Sequence, residues 1–142
     1  MSFIKIMVHC VWGTKDRGSV LVSGKREQLF DHIRENAGTK DIYIDTIAGH
    51  VDHIHCLISL GGDQNISKVM QLIKGEAAFW ANKNKLFEHK LEWAEDYFAG
   101  SVSESVLDKT RDYIKNQEEH HRKITFAEEY KKFVDSYGIK LG

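Results

Sequence analysis

Hydrophobic and polar positions along the chain follow two alternating patterns, one typical of strands and the other of helices. Runs rich in β-branched and aromatic residues, bounded by turn residues, predict strands at 3–13, 42–48, 51–60 and 97–102. Apolar residues recur at helical spacing in three further runs, 21–36, 66–82 and the stretch from Ser103 or Ser105 to Gln117. A last helix is predicted from Thr125, because Glu128 stands at the capping-box position. The predicted order is βαββαβ followed by two helices.

This order predicts an α+β fold of the ferredoxin-like type. In that arrangement an antiparallel sheet carries two helices on one face. Here a C-terminal helical extension that contains Tyr113 follows the fourth strand. The sequence has no proline, no internal repeat and no low-complexity linker that would separate a second module. We therefore expect a single domain over residues 1–142, which is long enough to bury one core.

The third predicted strand has two different faces. Side chains alternate along a strand, so Ile54, Cys56 and Ile58 point to one side of the sheet. His53 and His55 point to the other side, together with Leu57 and Ser59. The apolar face is expected to be the core. The histidines would meet solvent or a partner unless another part of the protein covers them.

Cysteine usage and the lengths of the apolar runs narrow the class of protein. Cys10 and Cys56 are the only cysteines, so neither a disulfide framework nor a four-thiolate zinc site is supported, and we expect buried reduced thiols. The N-terminus lacks a signal-peptide pattern, and no run approaches the roughly 18 apolar residues that suggest a membrane span. These features predict a cytoplasmic protein with no membrane partner.

The overall charge does not predict a nucleic-acid-binding protein. Lys and Arg number 20 against 21 Asp and Glu, so the chain lacks the strong positive field of many DNA-binding proteins. Any contact with DNA must then use local basic patches. The candidates are the pairs Lys15 and Arg17, Lys68 and Lys74, Arg111 and Lys115, and Arg122 and Lys123.

His53 and His55 form a candidate metal site. Residues two apart in a strand share a face at a spacing of about 6.6 Å, so both imidazoles can reach one ion. Gln117 follows Tyr113 by one helical turn, which brings an amide beside a phenol. A phenol next to a metal suggests phosphoryl transfer. Because His50 lies nearby in sequence, a three-histidine zinc hydrolase is an alternative interpretation.

Four segments carry a more specific pattern when they are taken together. They are HCVWGTK at 9–15, GHVDHIH at 49–55, SVS at 101–103 and YIKNQEEHH at 113–121. In content and order they resemble the small single-tyrosine transposases of the insertion-sequence-two-hundred type. That family belongs to the superfamily named for a histidine–hydrophobic–histidine motif. The resemblance covers nearly the whole chain.

The resemblance implies a catalytic mechanism. His53, His55 and Gln117 would hold one divalent ion, for which Mg²⁺ or Mn²⁺ suits the mixed ligands better than zinc does. Tyr113 would attack the scissile phosphate in line and form a 5′-phosphotyrosine, leaving a free 3′-hydroxyl. A second transesterification would then exchange strands without ATP.

The resemblance also implies partners. The family acts on single-stranded DNA and recognises hairpins at the ends of the mobile element, where aromatic stacking and backbone contacts would suit the substrate. It further implies a homodimer in which each tyrosine helix docks on the histidine pair of the partner. Each assembly would then contain two active sites, one for each DNA end.

Three other functions remain open from sequence. A replication or plasmid-relaxation nickase shares the histidine pair and the tyrosine, although such chains are usually longer. A domesticated relative would cut hairpins repeated in a genome. A non-catalytic ferredoxin-like module would bind DNA without any dependence on metal.

Overall fold

The computed structural model describes residues 1–139, which form four strands and five helices. The strands are β1 Ile6–Gly13, β2 Tyr43–Gly49, β3 His53–Leu60 and β4 Phe98–Val102. The helices are α1 Arg26–Thr39, α2 Ile66–Lys83, α3 Leu107–Lys115, α4 Gln117–His120 and α5 Phe126–Ser136. Short 3₁₀ turns occupy Lys15–Arg17 and Glu104–Val106. The predicted single domain over residues 1–142 includes 140–142, which lie outside the described residues.

The sheet confirms the ferredoxin-like prediction. Its strand order is β2-β3-β1-β4, and every neighbouring pair is antiparallel. The central pair, β1 and β3, sets Cys10 opposite Cys56 and Val11 opposite His55. The β3 histidines are therefore in the middle of the sheet and not at an edge.

One face of the sheet packs against α1 and α2 and forms the main core. Alternate residues of β1 and β3 enter this core, among them Trp12, Ile54 and Ile58, each with 0% exposure. Cys10 and Cys56 lie in the same cluster as buried cysteines, which confirms the predicted burial, and their reduced state stays a prediction. Burial raises the pKa of Cys10 to about 12, so this thiol is inert.

The other face of the sheet is covered by the chain's own C-terminal helices. α3 packs Leu107 and Ile114 in a small apolar cluster with Leu57. α5 packs Phe126 and Val134 in a second cluster with residues of β1 and β4. Between these two apolar patches lie the histidines. Within a single chain, they therefore face helices α3–α5 and not solvent.

Two predicted helix boundaries were wrong. Leu21 does not begin α1, because its backbone N–H donates to the Val51 carbonyl at 2.8 Å and its side chain is buried ahead of the helix. The helix predicted to run through Gln117 ends at Lys115, since Asn116 leaves the helical region with φ −100° and ψ 35°. The Asn116 side-chain amide donates to the Asp112 carbonyl at 2.9 Å, and the Asn116 backbone N–H donates to the same carbonyl at 3.2 Å.

Of the other boundaries, β1 begins at Ile6 and not at residue 3, and α1 continues to Thr39 instead of ending at 36, whereas α2 and α5 begin where the sequence predicts. Asn65 caps α2 by accepting from the Lys68 N–H. Thr125 and Glu128 form the full capping box at the start of α5. Across residues 1–139, no helix has both the length and the apolar character needed to cross a membrane.

Candidate active site

The two β3 histidines converge on one carboxylate. His53 and His55 are both 0% exposed. The Nε2 atoms of His53 and His55 lie 3.4 Å and 3.0 Å from Oε1 of Glu129 on α5. One ligand atom from each of the three residues falls within 4.8 Å of the others. Among the described residues, this cluster could hold a divalent metal ion.

The second nitrogen of each histidine is held by another side chain. His53 Nδ1 lies 2.8 Å from Asp52 Oδ1, and His55 Nδ1 lies 2.8 Å from His9 Nε2. Such outer partners fix ring orientation and direct the Nε2 atoms to the common centre. Burial and the neighbouring His55 lower the pKa of His9 to about 3, and burial lowers the pKa of His55 to about 4. Both rings are therefore neutral near physiological pH, which is the form that binds metals.

Gln117 lies beside the histidines, despite the break in the helix before it. Its side chain is buried, and its Oε1 is 3.0 Å from His53 Nε2 and 3.1 Å from His121 Nε2. Its amide nitrogen donates to the Tyr113 carbonyl at 3.2 Å, which orients the oxygen. The three predicted ligands, His53, His55 and Gln117, thus meet in one place. Their role in holding a metal stays a prediction.

Tyr113 reaches the same cluster from α3. Its hydroxyl donates a hydrogen bond to Glu129 Oε2 and lies 2.8 Å from His120 Nε2. The phenol ring is 5.8 Å from the His55 ring, centroid to centroid. Burial, reinforced by the Glu129 carboxylate, raises the pKa of Tyr113 above its usual value. The phenol is therefore protonated here, with an acceptor for its proton already in contact.

Glu129 is the site residue that the sequence interpretation missed. It is 1% exposed and contacts His53, His55, His121 and Tyr113. Burial alone would raise the pKa of its carboxyl, but hydrogen bonds from His121 and His55 lower it well below its usual range. A signal did exist. Glu129 follows Phe126 by three residues, so a carboxylate interrupts the apolar stripe of an amphipathic helix, where a charge needs partners.

His50 lies outside the cluster of His53, His55 and Glu129. Its ring stacks on His121 with centroids 5.4 Å apart, and its centroid is 6.4 Å from that of His53. The third group that faces the histidine pair is the Glu129 carboxylate. The geometry therefore favours a two-histidine, oxygen-ligand site over the three-histidine zinc alternative.

Four of the predicted DNA-binding residues are engaged by the protein itself. Arg111 forms two bonds of 2.9 Å with Asp45. The Arg17 guanidinium lies 4.5 Å from the centroid of the Phe126 ring. The remaining two are Lys74, which donates to the Ala94 carbonyl at 2.9 Å, and Lys15, which pairs with Glu92 at 3.3 Å. Binding DNA through these groups would require them to exchange partners.

Three more of the eight candidates border the site, among them Arg122, which pairs with Glu119 at 3.2 Å, and the eighth, Lys68, is exposed on α2. Lys115 and Arg122 line a cleft of about 450 Å³ that is also lined by Gln117. Lys123 lines a smaller cleft of about 250 Å³ with Tyr113. Their contact with DNA stays a prediction.

Comparisons with known proteins agree on one group. The model of the family described as "Transposase IS200 like" matches residues 2–117. ISDra2 transposase TnpA of Deinococcus radiodurans is 30% identical over 115 residues, covering 77% of this chain and 81% of that protein.

Solved structures support the same fold. A crystal structure of a Deinococcus radiodurans protein assigned as a transposase superposes with a TM-score of 0.64 at 26% identity, covering 82% of this chain and 93% of that one. A REP-associated tyrosine transposase bound to a REP hairpin has a TM-score of 0.61 at 18% identity, covering 82% of this chain and 68% of that one. This second likeness shows the fold alone. The family match ends at Gln117, so α5 and Glu129 lie beyond it.

Proposed function

This chain belongs to the family of IS200-like transposases and is a DNA transposase, and we propose that it cleaves and rejoins single-stranded DNA at insertion-sequence ends through a 5′-phosphotyrosine. One observation carries the proposal. The Tyr113 hydroxyl donates to Glu129, whose other oxygen faces both His53 and His55. A nucleophile, a proton acceptor and a pair of metal-binding imidazoles thus form one hydrogen-bonded network.

The residues at the centre of this network fit a divalent cation. His53 Nε2 faces Oε1 of Gln117 and Oε1 of Glu129, at 3.0 and 3.4 Å, while Nδ1 of the same ring contacts Asp52. His121 Nε2 lies 3.1 and 3.2 Å from the same two oxygens and can donate to them. A divalent cation could take the place of this donor, held by a ring nitrogen and two oxygens.

The two histidines would hold the metal together with Gln117 or Glu129. Mg²⁺ or Mn²⁺ suits this mixed nitrogen and oxygen set. When bound, the ion would neutralise negative charge on the scissile phosphate. Asp52 and His9 would keep both rings oriented during the reaction.

The protein's own groups account for the proton transfer. The Tyr113 oxygen attacks phosphorus as its proton passes to Glu129 Oε2, to which it is already hydrogen-bonded. The new bond joins phosphorus to the tyrosine oxygen, and the bond from phosphorus to the 3′-oxygen breaks. The 3′-oxygen leaves with the electron pair of that bond and takes up a proton from water, which gives the free 3′-hydroxyl. The phosphotyrosine keeps the phosphoester bond for rejoining, so ATP is not needed.

The substrate must gain access to a buried centre. His53, His55, Gln117 and Glu129 are each at most 1% exposed, which leaves no surface for a phosphate. α5 covers the centre, and its Phe126 ring stacks on the His53 ring with centroids 4.2 Å apart. DNA binding would therefore require the Phe126 ring to leave the His53 ring while Glu129 keeps its contact with Tyr113.

Hairpin recognition and dimer formation are further parts of the proposal. The structural relative bound to a REP hairpin supports hairpin binding, and action on DNA would take place in the cytoplasm.

For the dimer, we expect α3 of each subunit to dock on its partner's histidines. Within one chain α3 already rests on its own sheet, so exchange would replace these contacts with equivalent ones. Mixing inactive Tyr113→Phe and His53→Ala subunits should then restore cleavage. No recovery after confirmed subunit exchange would show that each helix serves its own chain.

The test of the proposed function is cleavage of labelled single strands taken from the DNA that flanks the gene. We expect a covalent protein–DNA band on a denaturing gel only when Mg²⁺ or Mn²⁺ is present. Binding without cleavage under all conditions would favour the non-catalytic module. Cleavage of hairpins repeated across the genome, without strand joining, would favour the domesticated relative, and nicking of a replication or plasmid origin would favour the nickase.

A further inference from the structure

A buried arginine borders the candidate active site and was not among the predicted DNA-binding residues. Arg26 begins α1 and is 4% exposed. It lines the same cleft of about 450 Å³ as Gln117, so the cleft adjoins the centre that would hold the metal. A charged side chain is seldom this buried unless it is paired, because removing the charge from water is costly.

The partners of Arg26 leave part of its guanidinium available. Nη1 donates to the Leu21 carbonyl at 3.1 Å, and Nη2 donates to Glu118 Oε1 at 2.8 Å. Nε lies 3.8 Å from Glu27, which is too long for a hydrogen bond. A guanidinium has five N–H donors in a planar fork, and this fork matches both carboxylate and phosphate oxygens.

The two ends of the Arg26–Glu118 pair differ in exposure. The Arg26 side chain is 5% exposed, whereas the Glu118 side chain is 67% exposed. If the pair opens, Glu118 is readily hydrated, but Arg26 remains buried and needs another anion. The geometry points to Arg26 as the binding site for a backbone phosphate of the DNA strand adjacent to the scissile phosphate, with Glu118 occupying that position in the DNA-free protein.

The surroundings of Arg26 suit a single strand. Lys115 and Arg122 line the same cleft and can contact further phosphates, although Arg122 would first leave Glu119, which lies at 3.2 Å and lines the cleft together with Glu27. Phe30 and Ile47 give the cleft an apolar wall for a sugar or base. Glu118 directly follows Gln117 on α4, so a phosphate that displaces Glu118 acts on the short helix that carries the candidate ligand. This inference rests on the proposed function.

The test measures DNA affinity in a Tyr113→Phe background, so that cleavage does not interfere. Arg26→Gln should weaken binding of a single-stranded end by about tenfold and reduce the magnitude of the salt dependence by about 0.7. Glu118→Gln should have the opposite effect and tighten binding several-fold, because the competing carboxylate is gone. A purely structural ion pair would give no gain on removal of Glu118.

Matched controls lie on the same helix. Arg34 also belongs to α1 and donates to a backbone carbonyl, that of Ile44 at 2.7 Å, but it is outside the cleft. Arg34→Gln and the exposed Glu35→Gln should leave affinity unchanged. If Arg26→Gln folds poorly, the gain from Glu118→Gln still decides the question.

Neutral methylphosphonate linkages locate the contact. These linkages are introduced one at a time along the strand. In the protein that retains Arg26, the linkage at one position next to the cleavage point should weaken DNA binding. The same linkage should have no effect on Arg26→Gln. Equal affinities for all variants, or weaker binding by Glu118→Gln, would overturn the inference. If the unsubstituted chain forms no covalent adduct, the proposed function itself fails, whereas an adduct combined with equal affinities overturns only the role of Arg26.

Discussion

The two faces of the sheet are equally buried but are held together by different forces. On the α1–α2 face, Ile54, Cys56 and Ile58 are 0% exposed within one continuous apolar cluster. On the α3–α5 face, His53 and His55 are also 0% exposed, but between two small apolar clusters they contact carboxylates, imidazoles and a phenol as well as the Phe126 ring. One face gains stability from apolar burial, which is strong and non-directional. The other keeps polar groups that need specific partners.

This difference separates the residues that stabilise the fold from those that perform the chemistry. A buried polar network stabilises a protein less well than apolar packing of the same volume. Such a network is therefore expected where function requires it. Substitutions on the α1–α2 face should mainly lower stability, and substitutions on the α3–α5 face should mainly lower activity.

The largest effect is expected at the nucleophile. Tyr113→Phe removes one oxygen and little packing, so covalent-adduct formation should fall by at least roughly 10³-fold. Its far-UV circular dichroism and DNA affinity should match those of the parent chain. Adduct formation by this variant would show that another tyrosine attacks.

Glu129→Gln tests the polar network with almost no change in shape. A glutamine amide cannot take up the Tyr113 proton, and it has no negative charge to attract a metal ion. Cleavage should therefore fall by roughly 10²- to 10⁴-fold. Metal affinity should fall by roughly 10- to 100-fold, measured by isothermal titration with Mn²⁺. Glu128→Gln is the control, since Glu128 is exposed and caps α5. It should keep full activity and lose little stability. Equal cleavage by both variants would remove Glu129 from the site.

His55→Ala should lower both the cleavage activity and the stability of the fold. Metal-dependent cleavage should be lost. The sequence alone predicts an intact fold, because the histidine lies off the main core, but its complete burial changes that expectation. His9 and Glu129 would each lose a partner, at a cost of about 1–3 kcal/mol in unfolding free energy. Chemical denaturation measures this cost, and full cleavage by a folded His55→Ala protein would contradict the metal assignment.

Ile58→Ala is the matched change on the apolar face. The side chain is fully buried, so the free energy of unfolding should fall by about 2–5 kcal/mol. Cleavage per folded molecule should stay within about twofold at a temperature where the variant is folded. A large loss of activity in folded protein would mean that the two faces are not separable.

The sequence predicted the architecture well because strand periodicity is a local property. The alternation of side chains along residues 53–59 correctly predicted which face of β3 joins the core and which face carries the histidines. The same alternation could not show what covers the histidines. That depends on where α3 and α5 dock, which is a tertiary property.

Glu129 and Asn116 show two further limits of sequence interpretation. Glu129 is separated from His55 by 74 positions, and no spacing rule connects a carboxylate on a late helix with a central strand. The predicted helix is interrupted at Asn116, whose side chain donates to the Asp112 carbonyl. Hydrophobic periodicity does not detect a local break of this kind. Gln117 nevertheless lies beside His53, because the break redirects the chain without carrying it away from the sheet.

Intact-mass and peptide mass spectrometry of the protein after reaction with a single-stranded element end tests the central claim most directly. The account predicts one DNA fragment, attached through its 5′-phosphate to Tyr113, that forms with Mn²⁺ or Mg²⁺ and disappears with a chelator. An adduct at Tyr97 or Tyr130, or an adduct at Tyr113 that forms equally well after the chelator has removed all metal, would contradict it.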